Sequence, residues 1–181
     1  MRSVEKIARV LHILLDCTLV CNLAALPLVP ALVYWRDNPA ALAAKEALTG
    51  NLFHYWTEGL SKVWSQPYSL VLTLFLLFSG CCTAVILLQG RRVLKTIRRG
   101  APFSMENAVS LRRAAVCAFL ISGAALVRLV FSVCWYRSMA PLLTYNALFV
   151  PVFAMAGLLC LVMSALFRQA AEMKAENDLT I

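Results

Sequence analysis

The chain has 181 residues, of which 61% are hydrophobic and only 14% are charged, and its formal net charge is +8 at pH 7. Soluble domains carry about 25% charged residues and about half apolar ones, so this composition excludes an ordinary soluble globular domain. We predict an all-α integral membrane protein that forms one transmembrane domain over residues 1–181.

Four apolar runs are each long enough to cross a bilayer as a helix, which takes about 20 residues. Lipid offers no partner to an unpaired backbone group, so these spanning segments are predicted to be helices and not strands. The four predicted transmembrane spans cover about residues 10–35, 68–89, 114–136 and 142–167.

The first span contains an ionisable side chain and two prolines. Asp16 lies one helical turn beyond His12, on the same face. An intramembrane carboxylate is a functional candidate, and the alternative is a structural group that pairs with His12 or is reached by water from the inner side. Pro27 and Pro30 remove backbone donors, so the outer half of the span is predicted to bend.

The outer segment, residues 36–67, is too long for a simple turn. Asn38 and Pro39 form a helix start and Gly50 a helix stop, which predicts a first helix. A second, amphipathic helix follows, and it either rests on the outer leaflet or caps the bundle. Its predicted apolar face consists of Leu52, Phe53, Trp56, Leu60, Val63 and Trp64.

The second helix is predicted to continue beyond its span through the basic string RRVLKTIRR. At 100° per residue the cations of this string fall on one face, and we predict that they contact anionic lipid. These predicted lipid-contacting residues are Arg91, Arg92, Lys95, Arg98 and Arg99.

A helix stop, a corner and a new helix start follow this string. Gly100 is a helix-stop residue and Pro102 favours an extended corner. Ser104 is a good N-cap, and Glu106 lies in the first turn, where the helix dipole favours an anion. Asn107 stands where a capping box has Glu or Gln, so the box is imperfect. Residues 90–113 are therefore predicted to form a helical hairpin that projects into the cytoplasm.

The third span contains Arg128, whose depth argues against a pair with Asp16. At ~1.5 Å per residue, Asp16 lies about 9 Å and Arg128 about 21 Å from the inner ends of their helices. Arg128 is predicted to extend outward, where Glu58 or Asp37 is available to receive it. Pro141 is predicted to open the last helix.

The placement of Lys and Arg predicts the topology. Twelve of the 17 lie in the segments that would be inner, four in those that would be outer, and Arg128 lies in a span. Inner loops carry an excess of these residues, so both termini and the hairpin are predicted to be cytoplasmic and residues 36–67 extracytoplasmic. The predicted location is the cell inner (cytoplasmic) membrane.

The sequence offers little for catalysis. Its two histidines, His12 and His54, are predicted on opposite sides of the membrane, and its seven cysteines all fall in predicted spans without a CxxC pair. Nucleotide-binding loops and metal-ligand spacings are absent from the sequence. We therefore predict no enzyme activity, no catalytic residues, no cofactor and no metal.

Two motifs resemble those of an uncharacterised bacterial family of small four-helix membrane proteins, classed as a domain of unknown function. The family shows G-x-P-F-x-x-E-N-x-x-x-L-R between spans two and three, and a C-terminal E-x-D-L-T-I. Its genes often lie beside a small Cro-like helix-turn-helix regulator, which implies that such a protein controls the regulator. The matching residues here are Gly100, Pro102, Phe103, Glu106, Asn107, Leu111 and Arg112, then Glu176, Asp178, Leu179, Thr180 and Ile181.

We therefore expect a regulatory or sensory membrane protein whose hairpin motif docks a cytoplasmic protein such as that regulator. Residues 168–181 form a predicted cytoplasmic tail, in which Glu176 and Asp178 are available to pair with Arg98, Arg99 or Arg112. The alternative is a small proton-coupled transporter or exporter that uses Asp16. A homodimer is left open by the sequence.

Overall fold

The computed structural model describes the backbone of residues 2–37, 52–99 and 103–179. Within these ranges, the side chains of residues 2–8, 37, 52, 54, 55, 178 and 179 are outside the description. Several predicted features fall outside the described residues: the helix expected after Asn38, the glycines at 50 and 100, the Pro102 corner, and the terminal Thr180 and Ile181.

The described chain is all-helical. Its α-helices are α1 (Arg2–Ala25), α2 (Val29–Asp37), α3 (Leu52–Val63), α4 (Pro67–Arg98), α5 (Met105–Tyr136) and α6 (Phe149–Leu179). Short 3₁₀ turns cover Leu26–Leu28, Ala140–Leu143 and Tyr145–Leu148. Four helical segments are long and apolar enough to cross a membrane, namely Arg9–Arg36, Pro67–Arg98, Met105–Tyr136 and Tyr145–Asn177. These segments indicate a multi-pass membrane protein.

The regular α-helix of the first span is interrupted where the bend is predicted. The α-helix ends at Ala25, a 3₁₀ turn contains Pro27, and α2 begins at Val29. Proline at position 30 has no N–H to donate, so regular hydrogen bonding lapses here. The indole Nε1 of Trp56 donates to the Pro27 carbonyl at 2.7 Å, which links α3 to this 3₁₀ turn.

Helix α3 packs against α2, which favours the predicted cap over a helix lying on the leaflet. Gly59 makes the close approach feasible, because a Cβ at this position would lie 2.7 Å from the Ala31 Cα. Val63 is fully buried and packs with Val33 and Leu72. Phe53 and Trp64, also predicted on the apolar face, remain exposed on the protein surface.

The spanning helices pack in chain order. The first span packs against α4, α4 against α5, and α5 against α6, while the other span pairs make few contacts within the described residues. We call the end with residues 91–98 and 105–113 the hairpin end. The opposite end, with α3 and residues 137–148, is the loop end.

Helix α5 presents small side chains to its neighbours. Without a hydrophobic driving force in lipid, helices associate through close packing of small residues and through interhelical hydrogen bonds. The Ser122 hydroxyl donates to the Val150 carbonyl at 2.8 Å, and the Ser164 hydroxyl donates to the Ala108 carbonyl at 2.7 Å. The buried small residues of α5 include Ala108, Ala114, Ala115, Ala118, Ser122 and Ala125.

The prediction that Pro141 opens the last helix is wrong. Pro141 lies in the first 3₁₀ turn of the α5–α6 connection, and α6 begins at Phe149. The backbone of Thr144 is extended, with φ −84° and ψ 153°, so a continuous helix is broken between the two 3₁₀ turns. Residues 142–148 thus form a loop rather than the start of a regular helix.

Candidate functional site

The hairpin has the helix extension and helix start expected from its sequence. Helix α4 continues to Arg98, well beyond the apolar span. Ser104 is the N-cap of α5, and its hydroxyl accepts from the Asn107 backbone N–H at 3.4 Å. Glu106 lies in the first turn, where its charge complements the helix dipole. The two arms of the hairpin are therefore continuous with the second and third spans.

A side-chain hydrogen bond joins the two arms. The Thr96 hydroxyl of α4 lies 2.5 Å from Oδ1 of Asn107 on α5. Asn107 is only 1% exposed, so its side chain is an interhelical contact and not the second half of a capping box. Sequence reasoning missed Thr96, although a threonine within a run of cations is an available signal for a polar contact. Asn107 thus fixes the spacing between the arms.

A basic groove lies between the arms, with a volume of about 550 Å³. It is lined by Arg92, Lys95, Thr96, Arg99, Met105, Glu106, Asn107, Val109, Ser110 and Arg113. In the described part of the chain, none of its four cations forms an ion pair. Such a surface is suited to an anionic group, because four positive charges face one carboxylate there.

The predicted basic face divides into two sides. Arg92, Lys95 and Arg99 line the groove. Arg91 turns to the first span, where its Nε lies 3.0 Å from Oδ1 of Asp16. The contact of these residues with anionic lipid, including the exposed Arg98, stays a prediction.

Asp16 also forms the predicted pair with His12. The distance from His12 Nδ1 to Asp16 Oδ2 is 3.1 Å. The sequence pattern indicated this (i, i+4) contact, but it could not indicate Arg91, which belongs to another helix. The carboxylate thus links the first span to the basic end of α4.

The remaining motif residues lie toward α6. Phe103 is 52% exposed, and its ring contacts that of Phe167, with the ring centroids 5.6 Å apart. Arg112 lines a smaller groove of about 270 Å³ between α5 and α6, and Leu111 is half-buried. Two motif residues, Glu106 and Asn107, therefore line the groove between the arms. Two others, Phe103 and Arg112, lie next to α6.

The tail continues α6 as a helix. Arg168 Nε donates to Oε1 of Glu172 at 2.9 Å, within the same helix. Among the residues described, Arg98, Arg99 and Arg112 are in no ion pair with Glu176. The Asp178 side chain lies outside the description, so its predicted pairing stays a prediction.

Arg128 lies toward the loop end of α5. Its guanidinium carbon is 4.9 Å from the centroid of the Phe75 ring, and the Tyr68 phenol lies close by. Glu58 is one of the two predicted acceptors of Arg128, but its Oε1 forms an ion pair with Lys62, whose Nζ lies 2.6 Å away. A cation inside a span costs about 2.5–3.5 kcal/mol at the helix centre, and the aromatic face and the phenol offset part of this cost.

Within residues 2–37, 52–99 and 103–179, no three His, Cys, Asp or Glu side chains are grouped to hold a metal ion. The seven cysteines are free thiols, and Cys82 of α4 neighbours Cys117 of α5.

Comparison with known proteins gives one family. The family described as "Protein of unknown function (DUF2975)" matches residues 3–181. No curated protein and no solved structure matches the chain.

Proposed function

Since the chain belongs to the DUF2975 family, whose description assigns no activity, we propose its function from the geometry of the hairpin end. The protein is a non-enzymatic regulatory or sensory component of the cell inner membrane that docks a cytoplasmic protein. Both termini and the hairpin are cytoplasmic in this proposal, and residues 36–67 are extracytoplasmic. The 12-to-4 distribution of Lys and Arg supports this orientation.

The basic groove between the arms carries the proposal. Its cations come from two helices, and the Thr96–Asn107 contact holds those helices at a fixed spacing. A preorganised positive surface attracts a negatively charged partner, speeds its association and disfavours basic competitors. We infer that the partner presents an acidic segment to this groove.

The resemblance in the hairpin motif supplies the class of partner, a small helix-turn-helix regulator encoded beside the gene. The protein itself would not contact nucleic acid, since the groove would be occupied by the regulator. Phe103 adds an exposed aromatic ring next to the groove, and aromatic side chains are common anchors in protein interfaces. Retention at the membrane would keep the regulator from its operators.

Anionic lipid is the second expected contact of this end. Arg98 is exposed and does not line the groove, so it is the cation of α4 best placed for headgroups. Groove and lipid surface thus use different residues of the same helix, and substitutions can separate the two contacts.

The transporter alternative receives less support. Asp16 contacts both His12 and Arg91, so its charge already has partners in the described structure. The apolar parts of the other three spans contribute no second carboxylate. Proton-coupled transport generally uses chains of ionisable groups within the membrane.

A co-purification experiment tests the docking function. The chain and the tagged regulator from the adjacent gene are co-expressed, and the regulator retained with the membrane protein in mild detergent is quantified. Lys95→Gln with Arg99→Gln should lower retention about 30-fold, since two interfacial charges that contribute on the order of 1 kcal/mol each amount to about 2 kcal/mol. Arg98→Gln is the matched control on the same helix and should retain the regulator.

Two further variants address the motif itself. Phe103→Ala should weaken retention, because it removes the exposed ring beside the groove, while expression and membrane insertion stay at the wild-type level. Glu106→Ala should not weaken retention of an acidic segment, because it removes the one carboxylate that faces the four cations of the groove. The docking function is wrong if the wild-type protein retains no regulator, or if the groove variants and Arg98→Gln retain equal amounts.

A further inference from the structure

A second cavity, of about 470 Å³, lies at the loop end between α4, α5 and the α5–α6 connection. Arg137 ends α5 in the left-handed conformation, with φ 47°, and the two 3₁₀ turns then delay the start of α6 until Phe149. The late start leaves room beside α5. The cavity is lined by Arg36, Tyr68, Ala125, Arg128, Leu129, Ser132, Tyr136, Ser138, Ala140, Pro141, Thr144 and Asn146.

Two guanidinium groups face this cavity. Arg128 lies eight residues before the end of α5, so its Cα is roughly 12 Å below that end. Arg36 approaches from α2, close enough to repel the charge of Arg128. Among the described carboxylates, none forms an ion pair with either arginine. The site therefore concentrates positive charge in a partly desolvated place.

We propose that this cavity binds an organic anion, a carboxylate or phosphate that carries an apolar group. The planar guanidinium of Arg128 matches the two oxygens of such an anion in a bidentate geometry. Arg36 adds a second positive charge, and Tyr68 and Asn146 offer polar groups around the anion. Ala125 and Leu129 form an apolar wall for the remainder of the ligand.

The size and composition of the cavity agree with a small ligand. Ligand sites in proteins have volumes of about 300–1,000 Å³ and combine apolar walls with a few convergent polar groups. Two sources have the required chemistry, a water-soluble organic anion and the headgroup of an anionic lipid. The site goes beyond the proposed docking function, because it lies at the opposite end of the spans and shares no residue with the hairpin.

Binding of benzoate tests the site, with benzamide as its uncharged counterpart of nearly the same shape. The full chain is placed in nanodiscs of zwitterionic phosphatidylcholine, and binding is measured by calorimetric titration. Benzoate should bind saturably and benzamide at least tenfold more weakly. If benzoate binding does not saturate, or if benzoate and benzamide bind equally well, the proposal is overturned. This holds whether or not a regulator docks at the hairpin.

Two variants locate the binding. Arg128→Gln should weaken benzoate at least tenfold, while Arg137→Gln, which removes a cation at the same end outside the cavity, should change the affinity less than twofold. Tyr68→Phe keeps the ring contact with Tyr136 and should weaken benzoate about threefold, which preserves the test if Arg128→Gln does not fold. Equal losses in the cavity variants and Arg137→Gln overturn the assignment.

Nanodiscs that contain phosphatidylglycerol distinguish the two sources. If the lipid headgroup is the ligand, benzoate affinity should fall in these discs, and native mass spectrometry should show phosphatidylglycerol retained by the wild type but lost from Arg128→Gln. If a soluble anion is the ligand, benzoate affinity should be the same in both discs. If benzoate does not bind saturably in the phosphatidylcholine discs, the site is refuted for both sources.

Discussion

Replacing Thr96 with valine removes one hydroxyl from the contact between the hairpin arms and keeps the branched shape of the side chain. The lost contact is the 2.5 Å hydrogen bond to Oδ1 of Asn107. The Thr96 hydroxyl also lies 2.8 Å from the Val93 carbonyl of its own helix, so its single proton is shared between this second bond and Oδ1 of Asn107. A comparison variant must therefore account for that second bond.

The expected cost follows from the burial of the acceptor. A typical hydrogen bond contributes about 0.5–1.5 kcal/mol net, and bonds in low dielectric lie toward the upper end. Asn107 is 1% exposed, so we expect about 1–1.5 kcal/mol for local separation of the arms. At 1.4 kcal/mol per factor of ten, opening becomes roughly fivefold to twelvefold more frequent.

Hydrogen exchange of the protein in nanodiscs measures this opening. Exchange of backbone amides in the first turns of α5, including Ala108, should accelerate by that factor in Thr96→Val. Thr83→Val is the matched control, because the Thr83 hydroxyl bonds only the Ser79 carbonyl of its own helix at 2.8 Å. If both variants exchange equally in residues 105–112, the Thr96–Asn107 contact does not hold the arms together.

Two other predictions concern the loop end and the topology. Gly59→Ala should lower the free energy of unfolding in mixed micelles by about 1–3 kcal/mol, because its Cβ would meet the Ala31 backbone at 2.7 Å. Gly123→Ala, with nothing within 4 Å of the new Cβ, should cause no loss; equal losses would contradict the close approach. In a cysteine-free background, an impermeant reagent added outside should label Leu48→Cys and not Met105→Cys, and the opposite result would reverse the topology.

The sequence predicted those features that depend on local backbone chemistry. The break around Pro27, the extension of α4 to Arg98 and the Ser104 cap follow from missing donors, periodicity and capping preferences. Each of these signals acts within one helix or at its end, so no knowledge of neighbouring helices was needed.

The features that sequence reasoning missed depend on which helices are neighbours. The helical wheel placed Arg91 and Arg92 on one basic face, but α1 lies against one side of that face and α5 against the other. Asn107 stands at the position of an imperfect capping box, and its contact with Thr96 crosses between helices, so no local sequence pattern indicates that contact. Pro141 is compatible with both an α-helix and a 3₁₀ start, and the extended backbone at Thr144 has no comparable signal in the sequence.

The packing of spans in chain order bears on how the protein is made. Every extensive contact between spans in the described residues joins segments that are consecutive in synthesis, so each new helix finds its partner already in the membrane. In such an assembly, no helix depends on packing against a helix that is synthesised much later. Contacts between segments that are close in sequence also form quickly. A nascent chain that has completed α5 would already contain both walls of the basic groove, before α6 leaves the ribosome.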